Sequence, residues 1–439
     1  MRTKIVHIGA DELTYQIREI IEMAQKIEKF GISIIWENIG DPVAKEEKIP
    51  KWIKTIVKKE VDNDNSFGYC PTKGVESSRK FLAGLRNKYP GAKITKEDII
   101  FFNGLGDAIT KIYTYLNRQA RVIGPSPAYS THSSAEAAHS GKKHLTYKLD
   151  PKKGWLPDFS DLKEKIKSNK NIAGILIINP DNPTGLVYDR EVMSEFANIA
   201  RKFDLFLISD EIYTNVWHNG IRPVRLSEVV GNDICGISMR GISKEFPWPG
   251  ARCGWIEVYN KNKDKQFARY VKTILDAKML EVCSTTLPQM VLPKIMSDPR
   301  YRKHHKERNK KFAKRANIAY TALKNIDGII VNKPSGAFYM TVVFDNKALN
   351  NKQKLKIDSK KCLKGEKLQN FIEKEVKGVD LDKRFVYYLM ASSGICLVPL
   401  SGFNCKLSGF RITLLETDDE KFKWVFETLA EKIKEYLKS

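Results

Sequence analysis

A lysine and an arginine eight positions apart are the first residues with chemical potential. In Gly241-Ile242-Ser243-Lys244-Glu245, Lys244 follows a small residue just beyond a predicted strand, and Arg252 follows among Pro247, Pro249 and Gly250. An amine on a rigid turn can condense with a carbonyl cofactor. A guanidinium can clamp a phosphate through two parallel hydrogen bonds. Taken alone, the pair reads equally as a surface lysine and a loop arginine. Three further segments strengthen the chemical reading. Asn179-Pro180-Asp181-Asn182-Pro183-Thr184-Gly185 ends one apolar run, and Ser209-Asp210-Glu211-Ile212-Tyr213 ends the next. Phe101-Phe102-Asn103-Gly104-Leu105-Gly106-Asp107 is a strand, a Gly turn and a helix start, which offers free N–H groups and a positive dipole end to an anion. A carboxylate at a strand end can hold a ring nitrogen protonated, and a nearby amide and phenol can donate to a ring oxygen.

The elements that must position these groups follow from the apolar pattern. Residues 13, 17, 20, 21, 24 and 27 form a helical stripe between Asp11 and Phe30, closed by Gly31. Ile32 to Trp36 is a short β-rich run, and Glu76 to Lys88 is predicted as a helix. Strands are predicted at Ile99–Phe102, Ala120–Ile123, Ile172–Ile178, Leu205–Ile208, Ile234–Ser238 and Trp255–Val258, with a helix over Asp107–Leu116. Continuously apolar short runs between helices indicate a parallel sheet covered on both faces. Ligands then sit at the carboxyl ends of the strands, where the polar motifs fall. Beyond residue 300 the pattern changes to a long basic helix and further strands at 328–331 and 336–340. The expected division is 1–57 as the N-terminal part of a small domain, 58–300 as a large domain, and 301–439 as the rest of the small α+β domain. A Lys-rich surface insertion is expected near 346–367, with a helix at 368–375.

Composition removes several classes. There are 75 Lys+Arg against 52 Asp+Glu, a net charge of +23, and 42 % hydrophobic residues, so a sizeable core is available and disorder is excluded. No apolar run approaches the ~18 residues of a membrane span, and the N-terminus is too polar for a signal peptide. The seven cysteines are scattered, without C-x-x-C, which fits free thiols in a reducing cytoplasm better than disulfides or zinc. No metal site is expected. The basic charge raises the question of nucleic acid, but the lysines are dispersed and no reading module is evident. The densest run, Tyr301 to Lys311 with the pair His304 and His305, is expected to be a solvated helix face.

Along the chain the motifs run as the Gly turn, Asn179–Gly185, Ser209–Tyr213, Ser243-Lys244 with Arg252 eight later, and then Gly409-Phe410-Arg411-Ile412-Thr413; these five in this order resemble the pyridoxal-phosphate-dependent aminotransferases of class I/II (fold type I, aspartate aminotransferase superfamily), over nearly the whole chain. The resemblance implies an α/β fold: a mostly parallel seven-stranded sheet between helices, plus a smaller α+β domain from both chain ends. It implies pyridoxal 5'-phosphate as cofactor. Lys244 matches the lysine of the internal aldimine, which also shuttles the proton at the substrate Cα. Asp210 matches the partner of the pyridine nitrogen. Asn182 and Tyr213 match donors to the phenolate oxygen. Arg252 and Ser243 match phosphate ligands, with the backbone of Leu105 and Gly106, and Tyr129 matches the aromatic stacked on the ring. Arg411 matches the arginine that grips the substrate α-carboxylate, which Gly40 approaches through its backbone. Tyr69 matches a tyrosine reaching the neighbouring subunit's cofactor phosphate, so the resemblance implies a homodimer.

The chain departs from the family pattern at Pro247-Trp248-Pro249, at Cys253, and at Leu105, where many relatives carry Ala, Ser or Thr. The expected reaction moves an amino group from an L-amino acid to a 2-oxo acid, 2-oxoglutarate being the expected acceptor, with ping-pong kinetics. A carbon–sulfur β-lyase on the same fold uses the same lysine and aspartate and stays open, because pocket shape decides the reaction. A cofactor-binding regulator is the more remote alternative. For the side-chain pocket, Phe338, Tyr339, Trp36 and Trp248 are candidates that core packing would explain equally. No second substrate arginine has an evident counterpart among Lys272, Lys278 and their neighbours.

Overall fold

The computed structural model describes residues 5–13, 16–220, 222–345, 347–357 and 365–439. The strands, in chain order, begin with β1 (Ile35–Trp36), β2 (Ile99–Asn103), β3 (Arg121–Ser126), β4 (Thr146–Asp150) and β5 (Leu156–Pro157). Next come β6 (Ile172–Ile178), β7 (Phe206–Asp210), β8 (Gly236–Gly241) and β9 (Cys253–Tyr259). The last are β10 (Ile329–Val331), β11 (Tyr339–Phe344), β12 (Ile395–Cys396), β13 (Val398–Pro399) and β14 (Gly409–Thr413).

The large sheet runs β2-β9-β8-β7-β6-β3-β4-β5. Strands β3, β4, β6, β7 and β8 are mutually parallel, while β9 is antiparallel to both of its neighbours. The predicted apolar runs account for β2, β3, β6, β7, β8 and β9, all nearly fully buried because helices cover both faces. β4 alternates buried and exposed positions and pairs at its outer side only with the two-residue β5, so it gave no continuous apolar signal.

A four-stranded antiparallel sheet, β10-β11-β14-β13, carries Arg411 on β14 opposite Thr341 of β11. Helices packed around it bring Ile20, Met23, Ala24 and Ile27 together with Phe312, Phe385, Phe410 and Phe426 in one buried cluster. The segments near the two chain ends therefore share a core. Short parallel pairing of β1 with β12 ties Trp36 to Cys396, and so fixes the start of the segment that reaches Gly40.

The Pro299–Leu323 helix is long and basic as expected, yet His304 and His305 are half-buried rather than solvated. Burial pushes His304 down to about 4 and His305 to about 3, so both rings are neutral. The basic run misled because charge was counted along the chain, whereas on a helix residues 301, 304, 305 and 308 turn inward. Arg308 on that face pairs with Glu47 at 2.6 Å. In the Lys-rich insertion, residue 346 and residues 358–364, with Cys362, lie outside the described residues.

Candidate active site

The carboxyl ends of the parallel strands open into a pocket of about 480 Å³. Lys244, Asp210, Tyr213, Asn182, Tyr129, Ser243, Arg252, Leu105, Gly106, Gly40 and Arg411 all line it; of the site residues that the family resemblance implied, Tyr69 alone does not. Residues from 40 to 411 converge here because most sit at a strand end or on the turn beside one, while Arg411 projects from the middle of β14.

Lys244 stands on the turn after β8 and its Nζ donates to the Gly40 carbonyl at 2.7 Å. Burial pushes its ammonium down to about 8, with Arg411 and Arg252 acting in the same direction against Asp41 and Asp210. At pH 7 a group at about 8 is roughly 10 % free amine, against about 0.03 % for an ordinary lysine. The amine is thus primed for attack on a carbonyl carbon. Gly40 must be glycine, since a Cβ there would stand 2.2 Å from the Tyr339 hydroxyl.

Asp210 ends β7 and is 3 % exposed. Its Oδ1 accepts from the Ile212 N–H at 3.0 Å, and its Oδ2 lies 3.1 Å from His132 Nε2. The neighbouring Asp181 is fully buried; its Oδ2 accepts from Thr184 N–H and Oγ1, and burial raises its carboxyl to about 7. That bond pattern rigidifies the Asn179–Gly185 turn and so positions Asn182.

Arg411 is 3 % exposed. Nη1 donates to Asn182 Oδ1 at 3.2 Å and Nη2 to the Asn38 carbonyl at 2.5 Å. Its guanidinium carbon lies 4.4 Å from the Tyr339 ring centroid and 5.1 Å from that of Phe403, which holds the fork in one plane. Nε is buried without a partner among the described residues. Tyr213 and Tyr339 share a 2.9 Å hydrogen bond between hydroxyls, and burial drives the Tyr213 phenol far above its ordinary range, so it remains a donor.

The anion end is built by Gly104, Leu105 and Gly106 at the start of the Leu105–Thr114 helix. Its first amides have no acceptor within the helix. Gly104 has φ +82°, and a Cβ on it would stand 2.5 Å from Arg252 Nη2. Arg252 is itself left-handed at φ +48°, exposed, and donates to the Pro249 and Asn103 carbonyls at 3.3 Å each. Leu105 packs against Gly254 of β9, where a Cβ would stand 3.0 Å from the Leu105 side chain and from the Leu105 backbone nitrogen.

Tyr69 is 87 % exposed and Phe67 70 %. Their loop is nonetheless anchored: Thr286 Oγ1 donates to the Gly68 carbonyl at 2.7 Å, and adjacent Thr285 Oγ1 donates to the Arg252 carbonyl at 3.2 Å. The loop thus borders the anion end while Tyr69 points outward.

Three functional candidates escaped or divided the sequence reading. His132 carries no motif, although its place three residues after Tyr129 on the Ser130–Ser140 helix puts it on the same side. Asn38 is 1 % exposed with both amide atoms unpartnered among the described residues, and it lines the pocket. Of the four aromatic candidates only Tyr339 lines the pocket; Phe338 is fully buried beneath Tyr213, and Trp36 and Trp248 pack against the cores. Lys278 is buried against Glu281 and Ser284, and Lys272 pairs with Asp276, so neither enters the pocket.

Among the described residues no helix is long and apolar enough to cross a membrane, and no group of three His, Cys, Asp or Glu could hold a metal ion.

Residues 34–429 match the family model described as aminotransferase class I and II. The chain is 58 % identical over all 439 residues to an uncharacterized aminotransferase of Methanocaldococcus jannaschii, covering 100 % of both chains. It is 28 % identical to the glutamate-pyruvate aminotransferase AlaA of Escherichia coli, over 79 % of this chain and 85 % of that protein. Among solved structures, an alanine aminotransferase from Pyrococcus furiosus superposes with a TM-score of 0.82 at 26 % identity, covering 97 % of this chain and 99 % of that one.

Proposed function

The chain belongs to the class I and II aminotransferases, and from that premise we propose that it exchanges amino groups between small L-amino acids and 2-oxo acids. Glutamate with 2-oxoglutarate and alanine with pyruvate are the preferred pairs. The relatives named glutamate-pyruvate and alanine aminotransferase, which align along most of this chain, support that choice. Apolar Ile39 and Ile212 on the pocket wall fit a short side chain.

The donor set fits pyridoxal 5'-phosphate: an amine, a buried carboxylate, an amide with a phenol, and an arginine beside free helix amides are the groups such a cofactor requires. When bound, it supplies an electron sink for the carbanion left by Cα deprotonation. Lys244 Nζ would hold the cofactor and, once the incoming amine displaces it, would take the proton from the substrate Cα and return it at the other end of the reacting system. Asp210, oriented by His132 and the Ile212 amide, keeps the ring nitrogen's proton in place. Asn182 and Tyr213 would donate to the ring oxygen, and Tyr129 would pack against the ring. Ser243, Arg252 and the amides of Leu105 and Gly106 hold the phosphate. Arg411 grips the α-carboxylate in both half-reactions, with Gly40 beside it, which gives ping-pong kinetics.

Tyr69 is assigned to the neighbouring site of a homodimer; its exposure beside Phe67 on an anchored loop supports this. The shared core of the two chain ends supports a small domain built from 1–57 and 301–439 around a large domain of 58–300. Six described cysteines without disulfides agree with a reducing cytoplasm.

The observation that carries the reading is Lys244, Asp210 and Arg411 on one pocket, with Arg411 Nε still unpartnered. The test is a spectral titration of the holoenzyme with a panel of L-amino acids. A visible band that bleaches with glutamate or alanine and returns with 2-oxoglutarate or pyruvate supports it. Release of pyruvate and ammonia from a β-substituted amino acid, without bleaching, would replace it by β-elimination.

A further inference from the structure

We propose that the cleft between β8, the Glu76–Arg86 helix and the Pro299–Leu323 helix is a second binding site, for a small organic oxyanion bearing a phosphoryl group or several carboxylates. The cleft encloses about 980 Å³ and shares no lining residue with the active-site pocket.

Its floor holds three buried arginines. Arg86, Arg225 and Arg240 are 2 %, 6 % and 6 % exposed, and all line the cleft. Arg86 Nε donates to Glu257 at 2.5 Å, but its Nη1 and Nη2 have no hydrogen-bond partner among the described residues. Arg225 Nε and Nη1 and Arg240 Nε are likewise unpartnered. Leaving such donors buried and unmet is unfavourable, and more so for charged groups.

The nearby carboxylates are largely committed elsewhere. Glu257 also accepts from Trp255 Nε1 and the Tyr259 hydroxyl, and stands 4.0 Å from Arg240 Nη1. Glu211 Oε1 accepts from the Leu226 N–H and Ser238 Oγ, while its Oε2 stays 3.6 Å from Arg86 Nη2. Glu228 is shared by Arg190 and Arg222 and lies 3.5 Å from Arg225 Nη1. Glu245 accepts from Asn215 at 2.5 Å and is 3.8 Å from His305. Burial, and then the repulsion of Arg240 and Arg86, holds the Arg225 guanidinium below its ordinary range despite Glu211. Against the cost of burial, Glu257 and then Glu211 hold Arg86 above its ordinary range, so the unmet demand for acceptors lies at Arg225 and Arg240. An oxyanion settling against Arg225 and Arg240 would bring acceptors to guanidinium groups whose unpartnered nitrogens lie just beneath the cleft surface.

The rim and walls fit the same ligand. Arg302, Lys306 and Lys310 recur every fourth residue on the Pro299–Leu323 helix, are exposed, and line the cleft, so they draw anions toward the floor. Tyr89 and Trp217 supply aromatic wall, and the Arg225 guanidinium lies 3.6 Å above the Tyr89 ring centroid, already oriented by it. The volume falls in the range of small-molecule sites and exceeds what inorganic phosphate fills.

The experiment is isothermal titration calorimetry of the holoenzyme, whose cofactor phosphate occupies the Arg252 end. Citrate, AMP and inorganic phosphate are the probes, at low and matched ionic strength, with sodium chloride as control. The expected result is one citrate or AMP bound per chain, tighter than inorganic phosphate. Affinity falls at least tenfold in Arg240→Met and in the rim variant Arg302→Glu/Lys306→Glu. Binding of AMP alone assigns a phosphoryl ligand; binding of citrate alone assigns a polycarboxylate. Absence of binding by both, inorganic phosphate binding as tightly as either, or affinity unchanged in a folded variant overturns the proposal. The rim residues are exposed, so that variant decides the matter if Arg240→Met does not fold.

Discussion

Nε2 of His132 lies 3.1 Å from Oδ2 of Asp210, and both side chains are sealed from water. The other ring nitrogen, Nδ1, is 3.4 Å from the Tyr113 hydroxyl, whose phenol burial keeps protonated. A hydroxyl donor at Nδ1 leaves Nε2 to carry the proton and donate to Asp210. The histidine thus stabilises the charged carboxylate and fixes its direction without touching the reacting atoms.

Replacing His132 by Phe keeps the ring volume and removes that donor. Losing a buried hydrogen bond to a charged group costs about 1–3 kcal/mol, so kcat should fall roughly ten- to hundredfold with KM little altered. Steady-state kinetics with glutamate checks this; an unchanged kcat would make His132 a packing residue only.

Arg411→Lys keeps the charge but loses the planar fork that Tyr339, Phe403, Asn182 and the Asn38 carbonyl hold in place. The expected loss in kcat/KM is roughly tenfold to 150-fold, equivalent to about 1.5–3 kcal/mol. Amines that lack an α-carboxylate should show no such penalty, and comparing the two substrate types separates carboxylate binding from misfolding.

Tyr69 and Lys244 provide a subunit-complementation test. Tyr69→Ala and Lys244→Ala homodimers should each be impaired, the second by on the order of a thousandfold or more. Mixed dimers should regain one intact site if Tyr69 serves its neighbour, because one interface then combines the native lysine with the native tyrosine. Activity no higher than the sum of the two homodimers would place Tyr69 outside the neighbouring site.

His218 makes stability pH-dependent. It is 3 % exposed, Asn219 Nδ2 donates to its Nδ1 at 3.1 Å, and burial pushes it down to about 4. Between about pH 6.5 and pH 4 the unfolded chain therefore binds a proton that the folded chain refuses. Stability should fall on acidification through that window, by on the order of 1–3 kcal/mol from this residue. Urea unfolding at pH 7 and pH 4.5 measures it, and His218→Asn should flatten the difference.

Much of the fold and site was legible in the linear sequence. The buried strands announce themselves as unbroken apolar runs such as Ile172–Ile178, because a parallel sheet covered on both faces leaves no position for a polar residue. Motif residues at the strand ends, among them Asn182, Asp210, Lys244 and Arg252, were identifiable by type, since their chemistry is local to the turn that bears them. β4 was not legible, because a strand near the sheet edge alternates.

By itself, then, the sequence determined which chemical groups this protein owns and the order in which strand ends present them. Only the tertiary structure decided which groups meet. Residues 132 and 210, or 38 and 411, share no spacing rule, and Asn38 joins Arg411 through the long-range pairing of β1 with β12. The burial of His304 and His305, the choice of Tyr339 over Phe338 as pocket wall, and the convergence of Arg86, Arg225 and Arg240 are set by how helices pack on the sheets. Hydrophobic periodicity reports which face of an element is buried, but it carries no information about which distant polar side chain will lie opposite.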